Sequence, residues 1–167
     1  MARRLVLAGL LLLRSTWIES AAQPPAAATE VDRLMTAWHH AAAVADEETY
    51  FGLLAPDAIF LGTAPGERWT KQEFVKMAMP YFQRPSAWVY KATQRWVTVS
   101  PSGEVAWFDE LLDSESYWTC RGSGVLTRKD GKWLIRQYNL AFTVPNGAEK
   151  EVKAIVLRHA TPSPTTH

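Results

Sequence analysis

The chain has 167 residues, enough for one domain with a full core, and 47% of them are hydrophobic, an ordinary share for a globular protein. Eighteen Lys and Arg nearly balance seventeen Asp and Glu, which excludes a global field that would recruit nucleic acid or anionic lipid. The single cysteine, Cys120, excludes an internal disulfide, and in a predicted strand it reads as a small buried filler rather than a reactive thiol. Eight tryptophans are many. Most are expected to fill a curved sheet, although Trp also lines pockets and interfaces because its ring is apolar and its N–H needs a partner.

Residues 1–22 have the layout of a secretory signal. Arg3 and Arg4 supply positive charge, and residues 5–13 form an apolar run too short to span a bilayer. Ser20, Ala21 and Ala22 are small, so cleavage is expected after Ala22, giving an exported (periplasmic or secreted) protein with no stable membrane anchor. Arg14 and the bulky Trp17-Ile18 leave an uncleaved anchor as the alternative. Residues 23–29, with two prolines and three alanines, read as a linker.

A helix is expected from Thr29 or Glu30. Val31, Leu34, Met35, Trp38, Ala42 and Ala45 form its apolar stripe, and His39 lies above Met35 at the edge of that stripe. Tyr50 to Leu54 predict a second, short helix. Pro56 breaks the chain, and Ile59 to Gly62 make a short strand. Thr70 with Glu73 is a capping-box pattern that starts a third helix, and Pro80 bends or ends it. Four long strands follow, over residues 88–99, 105–112, 118–128 and 133–144. Gly122 and Gly124 inside the third predict a bulge, a bend or a close backbone approach. Lys129-Asp130-Gly131-Lys132 is a hairpin turn. Residues 147–159 can form a last helix, and 160–167 read as a disordered tail.

Helices segregated from strands in this order predict an α+β domain over residues 30–146. Its core is a cone-shaped, curled antiparallel sheet of four long strands plus a short one, packed on three N-terminal helices. Such a shape leaves a cavity between sheet and helices, a default place for a small ligand.

Several stretches carry a resemblance. Leu54-Ala55-Pro56-Asp57-Ala58-Ile59-Phe60, Gly66-Glu67-Arg68-Trp69, Ala106-Trp107-Phe108-Asp109-Glu110, Arg121-Gly122-Ser123-Gly124-Val125-Leu126 and Lys132-Trp133-Leu134-Ile135-Arg136-Gln137-Tyr138-Asn139 resemble the SnoaL-like branch of the nuclear transport factor 2-like superfamily. The resemblance spans about residues 30–146 and implies the cone-shaped barrel, frequently dimeric through the sheet, so a homodimer is expected. It does not imply one function, because relatives include cyclases, isomerases, dehydratases and association domains. The isomerase relatives place a Tyr, an Asp base and an Asp acid at positions that fall near Trp38, Gly62 and Gly124 here. Glycine supplies neither base nor acid, so isomerase chemistry is not expected.

Asp109 and Glu110 are the strongest polar candidates. They sit mid-strand among large apolar residues, and only one can enter the cavity because successive strand residues face opposite sides. Asp109 is favoured, sharing a face with Val105 and Trp107, with Arg121 as its bidentate partner. That pair reads first as a structural one fixing the sheet; the alternatives are a ligand-orienting or acid–base pair and a dimer-interface role. Asn139 adds a donor and acceptor, and Trp38, Phe60, Trp69, Met77, Tyr81 and Trp107 form candidate walls. No P-loop, dinucleotide fingerprint, zinc signature or Ser/His/Asp order is present, so no cofactor or metal is expected. The leading expectation is an exported domain binding a small, partly apolar molecule, with Trp38, Phe60, Trp69, Tyr81, Trp107, Asp109, Arg121 and Asn139 around it. The alternatives are an acid–base enzyme using His39 with Asp109, and a non-enzymatic association domain with a filled interior.

Overall fold

The computed structural model of the chain describes residues 25–159. The expected signal with its cleavage point and the expected tail lie outside these residues.

Helix α1, Pro25–Ala43, starts earlier than the sequence reading, so residues 25–29 are helical rather than linker. Pro25 is tolerated there because a first-turn residue has no intrahelical N–H bond to lose. Ala27, Val31, Met35, Trp38 and Ala42 repeat at helical spacing and are buried, forming the face that packs on the sheet. Helix α2, Glu47–Gly52, is capped by Asp46, whose carboxylate accepts the Thr49 N–H at 3.0 Å. Helix α3, Lys71–Phe82, begins with the expected capping box between Thr70 and Glu73, and Pro80 falls in its last turn. A 3-10 turn, Asn146–Ala148, leads into α4, Glu149–His159, which has no buried residue.

Six strands make one sheet: β1 Leu54–Leu61, β2 Arg68–Thr70, β3 Lys91–Val99, β4 Val105–Ser114, β5 Trp118–Lys129 and β6 Lys132–Phe142. Their spatial order is β2-β1-β6-β5-β4-β3. All neighbours are antiparallel except β1 and β6, which are parallel, so the sheet is not antiparallel throughout. Strand β1 begins before the proline expected to break it. Pro56 falls in the register irregularity between Leu54 and Ile59, where its missing N–H costs no ladder bond. Strand β3 starts three residues later than expected, and Trp88 stays in the irregular segment before it.

Irregularities at Ala92/Gln94 and Val125/Leu126 insert extra residues on β3 and β6, and such bulges bend and twist a sheet. The β5–β6 turn is the predicted hairpin, with Asp130 and Gly131 both at positive φ, 52° and 78°. Inward-facing residues alternate with outward ones along β4 and β5, and along β6 on either side of the bulge at Arg136. Ala106, Phe108, Glu110 and Leu112 point to the core on β4. Gly122, Gly124 and Leu126 do so on β5, and Ile135, Tyr138 and Leu140 on β6.

A buried glutamate behind an aromatic cavity

Strand alternation puts Glu110, not Asp109, inside. Glu110 is wholly buried, while Asp109 points to the other face of the sheet. From the sequence the opposite phase is favoured, with Asp109 inward on the face of Val105 and Trp107. In the folded chain Trp107 is 47% exposed on the outer face, and Phe108 takes the core position. Arg121 does pair with Asp109, at 3.3 Å, but both side chains are about half exposed on that outer face. Asn139 lies between Tyr138 and Leu140, which line the cavity, and so projects outward too. Trp107, Asp109, Arg121 and Asn139 therefore lie on the outer face of the sheet, and none of them lines the cavity; on β4 a shift of one residue exchanges the whole face.

Glycine spacing carried the missed signal. In the β4–β5 hairpin Glu110 stands opposite Gly122 and Phe108 opposite Gly124. A Cβ added at Gly122 would lie 2.5 Å from the Tyr138 hydroxyl and 2.6 Å from Glu110 Oε1. A Cβ at Gly124 would lie 2.3 Å from the Gln137 carbonyl and 2.9 Å from the Phe108 ring. Register runs unbroken through both positions, so these glycines provide close approach rather than a bulge.

A buried carboxylate is costly unless it is paired and hydrogen-bonded. Three side chains supply those bonds. Arg95, directly opposite on β3, donates Nε–H to Oε2 at 2.7 Å. His39 from α1 meets Oε1 at 2.8 Å, and the Tyr138 hydroxyl donates to the same oxygen at 3.2 Å. Arg95 is held in turn from α1. Its Nη1 donates to the Asp32 carbonyl and carboxylate at 2.9 and 2.8 Å and to the Thr36 hydroxyl at 3.0 Å. Its Nη2 is buried with no hydrogen-bond partner among the described residues.

Burial by itself would push the Glu110 carboxyl up. The His39 hydrogen bond and charge, with the Arg95 guanidinium, outweigh it and hold the carboxyl below its ordinary value. Tyr138 goes the other way. Burial and then the neighbouring Glu110 charge push its hydroxyl well above the ordinary range, so it keeps its proton and remains a donor. An ionised carboxylate only accepts, so His39 Nε2 carries the hydrogen that faces it. Nδ1 has no hydrogen-bond partner among the described residues.

His39 and Tyr138 form part of the wall of a cavity of about 360 Å³. Trp38, Phe60, Trp69 and Tyr81 line it, as does Met77, in keeping with the wall positions read from the sequence. Trp38 stacks on Tyr50 at 4.6 Å and donates its indole N–H to the Tyr50 carbonyl. Phe60 stacks on Phe74 at 3.9 Å. Trp88 and Tyr90 also line the cavity, where the sequence predicts a strand from residue 88, and so does Arg84 in the connection after α3, which carries no sequence signal for a wall position. The exposed lining residues Tyr81, Arg84, Val89 and Tyr117 mark an opening of the cavity to solvent. Gly62 also lines it, and the Glu67 carboxylate fills the space a side chain at 62 would need. Among the described residues no group of three or more His, Cys, Asp or Glu side chains could hold a metal ion.

A sequence profile described as a SnoaL-like domain matches residues 31–145. No curated protein is significantly similar to the chain in sequence. Among solved structures, an NTF2-like protein of unknown function from Pseudomonas putida KT2440 is similar with a TM-score of 0.63 and 16% identity, over 74% of this chain and 92% of that one. A candidate ketosteroid isomerase from Parabacteroides distasonis ATCC 8503 has a TM-score of 0.56 and 18% identity, over 71% and 89%. A candidate scytalone dehydratase from Novosphingobium aromaticivorans DSM 12444 has a TM-score of 0.57 and 13% identity, over 68% and 82%. At these identities the likeness shows a shared fold and no shared activity.

Proposed function

The chain belongs to the SnoaL-like domain family, and from that premise we propose that it is an exported domain whose cavity binds a small, partly apolar molecule. One observation carries this reading. An aromatic-walled cavity of about 360 Å³ has at its wall a histidine tied at 2.8 Å to a wholly buried glutamate. Ligand sites of this size are mostly apolar, with a few fixed polar groups that set orientation. Trp38, Phe60 and Trp69 would hold a flat apolar body, and His39 Nδ1 would meet its polar group. An association domain with a filled interior is the poorer account, since this interior is not filled.

The test is native mass spectrometry of the purified protein, followed by tryptophan-fluorescence titration with a panel of aromatic and alicyclic compounds. Binding that weakens at least tenfold in His39→Ala supports the reading. No retained molecule and no saturable quenching across the panel would sink it.

Acid–base catalysis is the second reading, favoured by the same dyad. The sequence reading paired His39 with Asp109, but the partner is Glu110. Glu110 orients the ring, and Nδ1 is free to take a proton from a bound molecule. Here Glu110 and Arg95 are positioning residues. The tautomer is open to nitrogen NMR of His39. A neutral ring protonated at Nε2 agrees with the reading, whereas one protonated at Nδ1 has no base to offer the cavity and would count against it.

A further inference from the structure

The rim of the cavity bears on what the bound molecule is. This step rests on the binding reading above and deepens it. Arg84 follows α3 and lines the opening. Its guanidinium lies over the Tyr81 ring at 4.7 Å, and Tyr81 packs edge-on against Trp88 at 5.9 Å and 62°. The cation is thus steadied by an aromatic pair that is itself part of the cavity lining. Among the described residues no carboxylate lies within ion-pair distance of it. Arg95, Arg121, Arg128 and Arg136 each pair with an Asp or Glu; Arg33, Arg68 and Arg158, like Arg84, make no ion pair among the described residues, and of these four Arg84 is the one in the cavity lining.

Two carboxylates lie at or behind the cavity wall, Glu67 and Glu110. The Glu110 carboxylate behind the wall is matched by Arg95 and His39. Glu67, a lining carboxylate, already accepts the Ala64 backbone N–H at 3.0 Å and packs against Gly62. A planar guanidinium at the mouth of an aromatic slot matches a planar carboxylate attached to a flat apolar body.

We infer that the cavity takes small aromatic or alicyclic organic anions. The ring system lies among Trp38, Phe60 and Trp69, and the anionic group is held at the mouth by Arg84. Specificity for acid over neutral analogue then resides in Arg84, which sits apart from the His39–Glu110 pair.

The experiment uses two probes of nearly one shape and different charge, 2-naphthoate and 2-naphthamide, titrated calorimetrically into the purified protein and its Arg84 variants. The wild-type protein is expected to bind the carboxylate at least fivefold more tightly than the amide. Arg84→Ala removes that preference by weakening the carboxylate alone, and Arg84→Lys keeps part of it. Arg84 is exposed, so the variants are checked for unchanged thermal unfolding. If the wild type binds both probes equally, or Arg84→Ala retains the preference, the anion inference is overturned while the binding reading stands. If the wild type binds neither probe, the anion inference is overturned, and the binding reading is decided by the wider panel and native mass spectrometry.

Discussion

Removing Glu110 would leave the buried Arg95 with Asp32 at the helix surface as its remaining charge partner, and Tyr138 and His39 without their shared acceptor. Breaking such a pair from one side costs about 3–5 kcal/mol, so Glu110→Ala is expected to lower stability by that order in urea unfolding. Tyr138→Phe deletes one donor to a charged group and should cost about 1–3 kcal/mol. Acid should act through the same residue. A carboxyl held below its ordinary value of 4.5 contributes stability that is fully present above about pH 4.5 and is lost as the pH falls through the lowered folded-state value. The wild-type melting temperature should therefore drop below pH 4.5 more steeply than that of Glu110→Gln, and parallel curves would refute this role. Gly122→Ala should destabilise by about 1–3 kcal/mol, because the new methyl meets both the Tyr138 hydroxyl and the Glu110 carboxylate. Residue types were legible in the sequence here, but their direction was not. Asp109 and Glu110 are adjacent, and both strand faces carry large apolar groups, so hydrophobic pattern alone left the phase of β4 open. Pairing each inward residue with the glycine opposite it would have resolved the phase, but that requires the hairpin register.

Elements with a local chemical signature were the ones read well. The Thr70–Glu73 capping box fixes the start of α3, and Asp130-Gly131 fixes the β5–β6 hairpin. Gly131→Ala, forced to φ 78°, should cost about 1–2 kcal/mol and can be checked by thermal melting, because a Cβ there meets the following carbonyl. Elements whose bounds depend on distant partners were read poorly. Pro56 looked like a break because the irregular pairing of β1 with β6 that accommodates it is made with a strand some eighty residues away. Trp88 fits a β-propensity run, yet it packs against Tyr50 and Phe82 and stays outside β3. That tertiary override puts residues 87–90, Trp88 and Tyr90 among them, at the cavity.

For the whole molecule, the outer face of the sheet matters. Trp96 and Trp107 stand on it about half exposed, on neighbouring strands and beside the Asp109–Arg121 pair. We propose that this face is covered by a second copy, as the resemblance implies. Light scattering should give a dimer, and Trp96→Glu with Trp107→Glu should yield monomers that still bind ligand. A wild-type monomer at micromolar concentration would end that proposal. Export is likewise a proposal. N-terminal sequencing of protein recovered outside the cytoplasm should begin at Gln23, and an intact Met1 would contradict cleavage.

The parallel pairing of β1 with β6 has a consequence for how the chain is made. Strands β1 and β2 form one ladder and β3, β4 and β5 another, and β6 alone joins them. Until residue 132 has left the ribosome, the two ladders share no backbone hydrogen bond and the Glu110 cluster lacks Tyr138. Contacts this distant in sequence slow folding. A chain stopped before residue 132 should lack a cooperative unfolding transition, while one stopped at residue 145 should regain it. The domain is thus synthesised almost to its end before it can close, and for most of that time it is a substrate for whatever binds unfolded chains.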